Sequence, residues 1–180
     1  MINNQFVLAV IPARGGSKRC PGKNLKFFRG RQLIAWSIEA GKASKYVDRL
    51  VLSTDDTGVK WCAQSYGCDV IARPARLATD EALNEDVLRH AWRGEHWIVL
   101  LQPTSPLRTA QDIDACIEIA ACNGKGCVSH RQRNGTKNGA VYVATADWLC
   151  HHDFTTPLPG VYSMDDEHSL DIDYPEEFSL

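Results

Sequence analysis

The sequence predicts an α/β fold, a three-layer sandwich around a mostly parallel sheet, and three observations predict it. Short apolar runs alternate with amphipathic stretches along the chain. The apolar runs are continuous, as in strands whose two faces are both covered by other layers. The stretches between them carry apolar residues at helical spacing. Alternation of this kind builds right-handed crossovers, with helices packed on both sides of one sheet.

Strands are expected at Phe6 to Ile11, Leu50 to Leu52, Val70 to Ile71, Trp97 to Leu101, Cys127 to Val128 and Ala140 to Val143. Val59, Cys62, Ala63 and Tyr66 follow the i, i+3, i+4, i+7 spacing of a helix with one buried face. Ile113, Cys116, Ile117 and Ala120 repeat that spacing, and Thr109 with Asp112 resembles a capping box that starts the second helix. Trp61, Trp92, Trp97 and Trp148 are expected to be core or half-buried packing residues. A length of 180 residues with 44% hydrophobic content suits one domain spanning residues 1–180.

The formal net charge is −2, so no overall field favours nucleic acid or an anionic membrane. The seven cysteines are odd in number and form no C-x-x-C pair, which argues against a disulfide framework or a zinc site. Several lie in apolar stretches, where a free thiol behaves as a small hydrophobe. His151-His152 beside Asp153 lacks a third matching ligand and is not read as a metal site. The first apolar run stops at Pro12, too short for a signal peptide or a membrane span, so a cytoplasmic protein is expected.

The distribution of charge is more telling than its sum. Seven basic residues and no acidic ones lie between Pro12 and Arg31, whereas no Lys or Arg follows Asp153. By pattern alone such runs are solvated faces. The basic run, however, leaves the first expected strand directly, and ligands of α/β sheets sit beyond the carboxyl ends of the strands. There Gly15 and Gly16 offer unusual backbone freedom and a close approach of N–H groups to an anion. Arg14 can hold phosphate oxygens in pairs, while Lys18 and Lys23 act as mobile point charges. Pro21-Gly22 sets a turn that returns Lys23 toward the strand end. Neither the Walker A spacing nor G-x-G-x-x-G is present.

Ile11 to Lys18 followed by Pro21-Gly22-Lys23-Asn24 resembles the signature of the cytidylyltransferases that activate sialic acids and related nonulosonic acids. The resemblance recurs at Leu52 to Asp56, Arg73 to Asp80, Leu100 to Arg108, Asn138 to Tyr142 and Ser169 to Asp173. It implies a Rossmann-like fold of the nucleotide-diphospho-sugar transferase type. It also implies transfer of CMP from CTP to the anomeric hydroxyl of an α-keto sugar acid, with release of pyrophosphate. On this resemblance Arg14, Ser17 and Lys23 handle the triphosphate, and Asn24 and Arg73 lie near the cytidine; Ala13, Gly15, Gly16 and Lys18 are expected to complete the nucleotide-binding residues. Gln102, Thr104 and Ser105 would meet the sugar, and Arg14, Lys23 and Asp173 would be catalytic.

The same resemblance makes Asp171 and Asp173 the expected Mg²⁺ site. In an extended segment, period two puts both carboxylates on one face and turns Ile172 toward the core. Mg²⁺ takes hard oxygen ligands, commonly one or two carboxylates with substrate phosphates. Asp165, Asp166 and Glu167 have no such support and are expected to be solvated. Asp55 and Asp56 are read as a helix cap in preference to a ribose contact. Arg108 stays open between a surface cation and a carboxylate partner.

Two departures from the family pattern matter. Its long excursion before the Asn138-Gly139 motif is reduced to Arg131 to Lys137, and Glu81-Ala82-Leu83 replaces the usual Thr-Ala-Ser. Because that excursion builds the family's dimer, a monomer or weak homodimer is expected. A second functional reading is a module that binds CTP and Mg²⁺ without catalysis.

Overall fold

The computed structural model describes residues 1–179. In chain order it comprises β1 (Val7–Pro12), β2 (Phe27–Phe28), β3 (Arg31–Gln32), α1 (Leu33–Ala43), β4 (Arg49–Thr54), α2 (Thr57–Ser65) and β5 (Asp69–Ala72). There follow α3 (Asn84–Ala91), β6 (Trp97–Leu101), α4 (Ala110–Asn123), β7 (Gly126–Arg131), β8 (Lys137–Thr145), α5 (Ala146–His151) and β9 (Gly160–Met164). Seven strands form one sheet in the order β5-β4-β1-β6-β8-β7-β9, and β2 and β3 form a separate hairpin.

The four strands β5, β4, β1 and β6 run parallel. β8 enters antiparallel between β6 and β7, and β9 pairs parallel with β7. The sheet is therefore mostly parallel with one reversed strand. That reversal brings the start of β8 to the edge where β1, β4 and β6 end, since Leu101 pairs with Val141.

Side chains alternate across the sheet and define the layers. Val7, Ala9 and Ile11 pack with Ile34, Ile38, Val59 and Ile117, placing α1, α2 and α4 on one side. Leu8 and Val10 face Val87, Leu88 and Leu149, placing α3 and α5 on the other. The capping box at Thr109 and Asp112 is present, and Asp56 caps α2 by accepting a hydrogen bond from Val59 N. All seven cysteines are free, and Cys20, Cys68, Cys116 and Cys127 are buried.

Two expectations are corrected. Trp61 and Trp92 are exposed, at 68% and 39%, whereas Trp97 and Trp148 are buried. Trp61 sits on the polar face of α2, and the Trp92 indole N–H donates to Glu95 O at the protein surface. Arg108 is neither a surface cation nor a carboxylate partner. It is 2% exposed and donates to the carbonyls of Gln102 and Ala140 and to Ser37 Oγ. Burial lowers its pKa to about 10, against an attraction from Asp112.

Candidate active site

Two strand ends meet in one cleft, and a third, that of β4, runs into Asp55, which lines a neighbouring cavity. β1 runs into Arg14 and β6 into Gln102, while the chain returns after β9 to lay Asp171 and Asp173 across the same edge. The resulting cavity has a volume of about 280 Å³. Arg14, Ser17, Lys23 and Asn24 line it from the loop after β1. Gln102 and Thr104 line it from the loop after β6, and Asn84 from the first residue of α3.

The basic loop is shaped by local contacts. Gly22 takes φ +68°, a left-handed conformation that suits glycine, and the following 3₁₀ turn directs Lys23 inward. Neither Gly15 nor Gly16 is left-handed, contrary to the freedom expected of them. What Gly15 provides is closeness, because a Cβ there would lie 2.9 Å from Asp56 Oδ2. Its N–H donates to Asp55 Oδ1 at 3.0 Å. Asn24 is buried and donates to Arg14 O at 2.9 Å, propping the loop from below.

The cations of this loop are already held by carboxylates. Arg14 and Lys18 both pair with Asp80. Lys23 Nζ lies 2.9 Å from Asp173 Oδ1, and Arg19 lies 2.7 Å from its Oδ2. Hydrogen bonds from Lys18 and Arg14 draw the Asp80 pKa below the usual carboxylate value. Burial raises the pKa of Asp173, but Lys23 and Arg19 outweigh it and the net shift is downward. Asp80 carried no assignment in the sequence; its charge opposite two loop cations becomes visible only in the fold.

Asp171 behaves in the opposite way. Burial pushes its pKa up, a side-chain hydrogen bond from Thr104 works against that, and the Asp173 charge adds to it. Its Oδ1 is buried without a hydrogen-bond partner. Ile172 between the two carboxylates is fully buried against Phe28 and Leu33, as the alternation predicts. A buried, unpartnered carboxylate oxygen beside a second carboxylate suits a hard divalent cation, so the pair fits Mg²⁺. No group of three or more His, Cys, Asp and Glu side chains able to hold a metal occurs among the described residues.

The remaining predicted residues are placed as follows. Arg73 is buried, its guanidinium donating to Ser53 O at 2.8 Å and Ser53 Oγ at 3.2 Å. Burial brings its pKa to about 10. It lines a neighbouring cavity of about 590 Å³, not the cleft that holds Lys23 and Asp173. Lys18 extends into solvent, and Gly16 has open space where a Cβ would stand. Ala13 is fully buried and continues the β1 register by donating its N–H to Ser53 O. Ser105, expected to meet the sugar, is 1% exposed and is not among the residues that line the cleft; its Oγ is buried without a hydrogen-bond partner. The absence of a side-chain pattern around Asn84 hid it from the sequence, although it opens the helix that faces Arg14.

The fold and the cleft define the class: an α/β sandwich that collects basic side chains and a carboxylate pair at the carboxyl ends of its parallel strands. The chain belongs to the cytidylyltransferase family, whose family model matches residues 8–153. It is 30% identical to the N-acylneuraminate cytidylyltransferase of Escherichia coli O18:K1:H7 over 97% of this chain. That match covers 51% of the relative, so this chain spans about half its length. It is 31% identical to the CMP-N,N'-diacetyllegionaminic acid synthase of Legionella pneumophila, over 97% of this chain and 94% of the relative. These alignments run to 212 and 217 residues, so the relatives contain residues without a counterpart in this 180-residue chain. A cytidylyltransferase structure from Leptospira borgpetersenii superposes with a TM-score of 0.74 at 21% identity, covering 97% of this chain and 84% of that one. The last comparison supports the fold. Among the described residues, no helix is long and apolar enough to cross a membrane.

Proposed function

We propose that this chain transfers CMP from CTP to the anomeric hydroxyl of a sialic acid-like α-keto sugar acid, releasing pyrophosphate. The observation that carries this reading is the convergence of Arg14, Lys23, Gln102, Asp171 and Asp173 on one cleft. Displacement at phosphorus needs positioning and charge neutralisation more than covalent help. Arg14 and Lys23 supply fixed positive charge, because Asp80 and Asp173 hold their side chains in place before ligand arrives. An incoming triphosphate exchanges one set of anionic partners for another.

Asp171 and Asp173 would hold Mg²⁺. The ion would neutralise phosphate charge and lower the pKa of a coordinated hydroxyl. Gln102 and Thr104 offer an amide and a hydroxyl to the same cleft, where a polyhydroxy acid would be oriented by hydrogen bonds. Asn24 sets the path of the loop backbone, and Arg73, held by Ser53 at the end of β4 and lining the neighbouring cavity, would meet the cytidine. On this reading the protein is cytoplasmic, and it is a monomer or weak homodimer because only a short turn joins β7 to β8.

Pyrophosphate release over four nucleoside triphosphates and a panel of nonulosonic acids tests the proposal. Release is expected only with CTP and only with a keto-sugar acid present. Binding of CTP without turnover on any acceptor would favour the non-catalytic module instead. Equal thermal stabilisation by all four triphosphates would remove the cytidine assignment; a ligand at one hundred times its Kd contributes about 2.7 kcal/mol.

A further inference from the structure

The segment from Asp165 to Asp173 leaves β9 and reaches the cleft outside any strand or helix. Lys23 and Arg19 hold the Asp173 side chain and Thr104 hydrogen-bonds that of Asp171, while the backbone of the segment is anchored separately. Ile172 buries its side chain against Phe28 and Leu33, and its N–H donates to Thr104 O at 2.7 Å. Hydrophobic contact is non-directional. The second anchor is directional and buried: Asn138 Nδ2 donates to Ser169 Oγ at 2.9 Å. Asn138 and Ser169 are 3% and 1% exposed.

Asn138 is itself fixed by the sheet. Its Oδ1 accepts from Ser129 Oγ at 2.6 Å and from Ala140 N at 3.1 Å. Ser129 Oγ in turn accepts from Val141 N at 2.9 Å. The amide thus ties β7 and β8 at one end to the segment carrying Asp171 at the other. It does not line the cleft. A fully satisfied buried polar network of this kind specifies one arrangement over its neighbours.

We propose that Asn138 is a positioning residue which, through Ser169, sets the place of Asp171 for a divalent cation. The inference rests on the reading of Asp171 and Asp173 as the metal pair. It assigns to the Asn138 motif a task at the carboxylates, reached through its hydrogen bond to Ser169.

Mn²⁺ alone is the probe. The ligand-free full chain is titrated, with free Mn²⁺ followed by electron paramagnetic resonance, for wild type, Ser169→Ala, Ser169→Thr and Asp171→Asn. Ser169→Ala is expected to weaken Mn²⁺ binding about tenfold, the effect common for partners just outside a metal's own ligands. Ser169→Thr keeps the hydroxyl and is expected to restore most of the affinity. A Ser169→Ala protein with a lower melting temperature but wild-type Mn²⁺ affinity overturns the inference and leaves the metal reading intact. Equal affinity in wild type and Asp171→Asn overturns the metal reading, and the inference falls with it. In the Asn138→Ala/Ser169→Ala double variant the losses are expected not to add, since both break one link; additive losses would also overturn it. Where Asn138→Ala does not fold, the Ser169→Ala and Ser169→Thr pair decides alone.

Discussion

The basic loop after β1 and the acidic segment after β9 are mirror images in composition, yet they are satisfied very differently. In the loop Arg14, Lys18, Arg19 and Lys23 each hold a carboxylate. In the acidic segment Asp165, Asp166 and Glu167 remain exposed, Asp173 is ion-paired, and Asp171 is buried with an unpartnered oxygen. The loop is arranged to exchange one anion for another. Its pairs are partly exposed, and such pairs contribute little, so exchange costs little. The acidic segment keeps one oxygen in reserve, which suits the gain of a cation.

The largest effect is expected where the two regions touch. Asp173→Asn keeps the shape of the side chain, removes its charge from Lys23 and Arg19, and takes away most of a hard-cation ligand. On the proposed reading, losing about 4 kcal/mol of transition-state stabilisation slows turnover roughly a thousandfold. CTP affinity without metal should persist or rise, because a repelling carboxylate has gone. Pyrophosphate release across a Mg²⁺ titration, with CTP binding in parallel, checks this. A variant with near-normal turnover would refute the assignment.

Within the loop the comparison predicts a gradient. The Lys23 side chain is 12% exposed and that of Lys18 is 82%. A charge-assisted hydrogen bond contributes about 1.5–3 kcal/mol, so Lys23→Met should weaken CTP binding by roughly one to two orders of magnitude. Lys18→Met should weaken it only severalfold, as solvent screens the exposed ammonium. Equal losses measured by calorimetry would show that burial does not grade the loop.

Arg108 marks the limit of the contrast, since it is a cation with no carboxylate partner. It joins the Gln102 and Ala140 carbonyls to Ser37, linking the loop after β6 to β8 and α1. Arg108→Met would leave buried carbonyls unpaired, at about 2 kcal/mol in stability. A fall of roughly 4–8 °C in melting temperature is expected for a chain of this size. A change under 1 °C would mean that the carbonyls find other donors.

What the sequence revealed follows from how local each signal is. The capping box at Thr109 needs only three residues of context, and Ile11-Pro12 marks the end of β1 to within a residue. α1 escaped because Leu33, Ile34, Ala35 and Ile38 are buried around most of its circumference, which erases the amphipathic period. β9 escaped because Gly160 to Met164 is an edge strand with exposed Val161 and no apolar run. Continuous apolar strands do not encode direction, so the reversal of β8 was invisible. The same holds at the cleft. The loop and the Asp171-Ile172-Asp173 pattern are contiguous in sequence, whereas Asp80 and Asn84 matter through contacts formed only on folding.

The two carboxylates should also answer pH and substitution with opposite signs. The folded-state pKa of Asp171 is raised from 3.8, chiefly by burial. Its contribution to stability is therefore fully present below that value and is lost as pH rises through the folded pKa. For Asp173, burial raises the pKa but Lys23 and Arg19 bring the net shift below 3.8. Its contribution is present above 3.8 and is lost as pH falls through the folded pKa. At pH 7 without metal, Asp171→Asn removes a buried charge that lacks a full set of partners, so it should raise stability by about 1 kcal/mol. That corresponds to roughly 2–4 °C in melting temperature. Asp173→Asn should lower the melting temperature at pH 7, and the two variants should begin to converge only as the pH falls below 3.8 toward the folded pKa of Asp173. Saturating Mg²⁺ should reverse the order for Asp171, because the wild type then gains a ligand the variant holds poorly. Differential scanning calorimetry at pH 7 and pH 3.5, with and without Mg²⁺, reads all of these signs. Destabilisation by Asp171→Asn in metal-free buffer would show that its buried oxygen is satisfied by the fold itself, and that it is not held open for a cation.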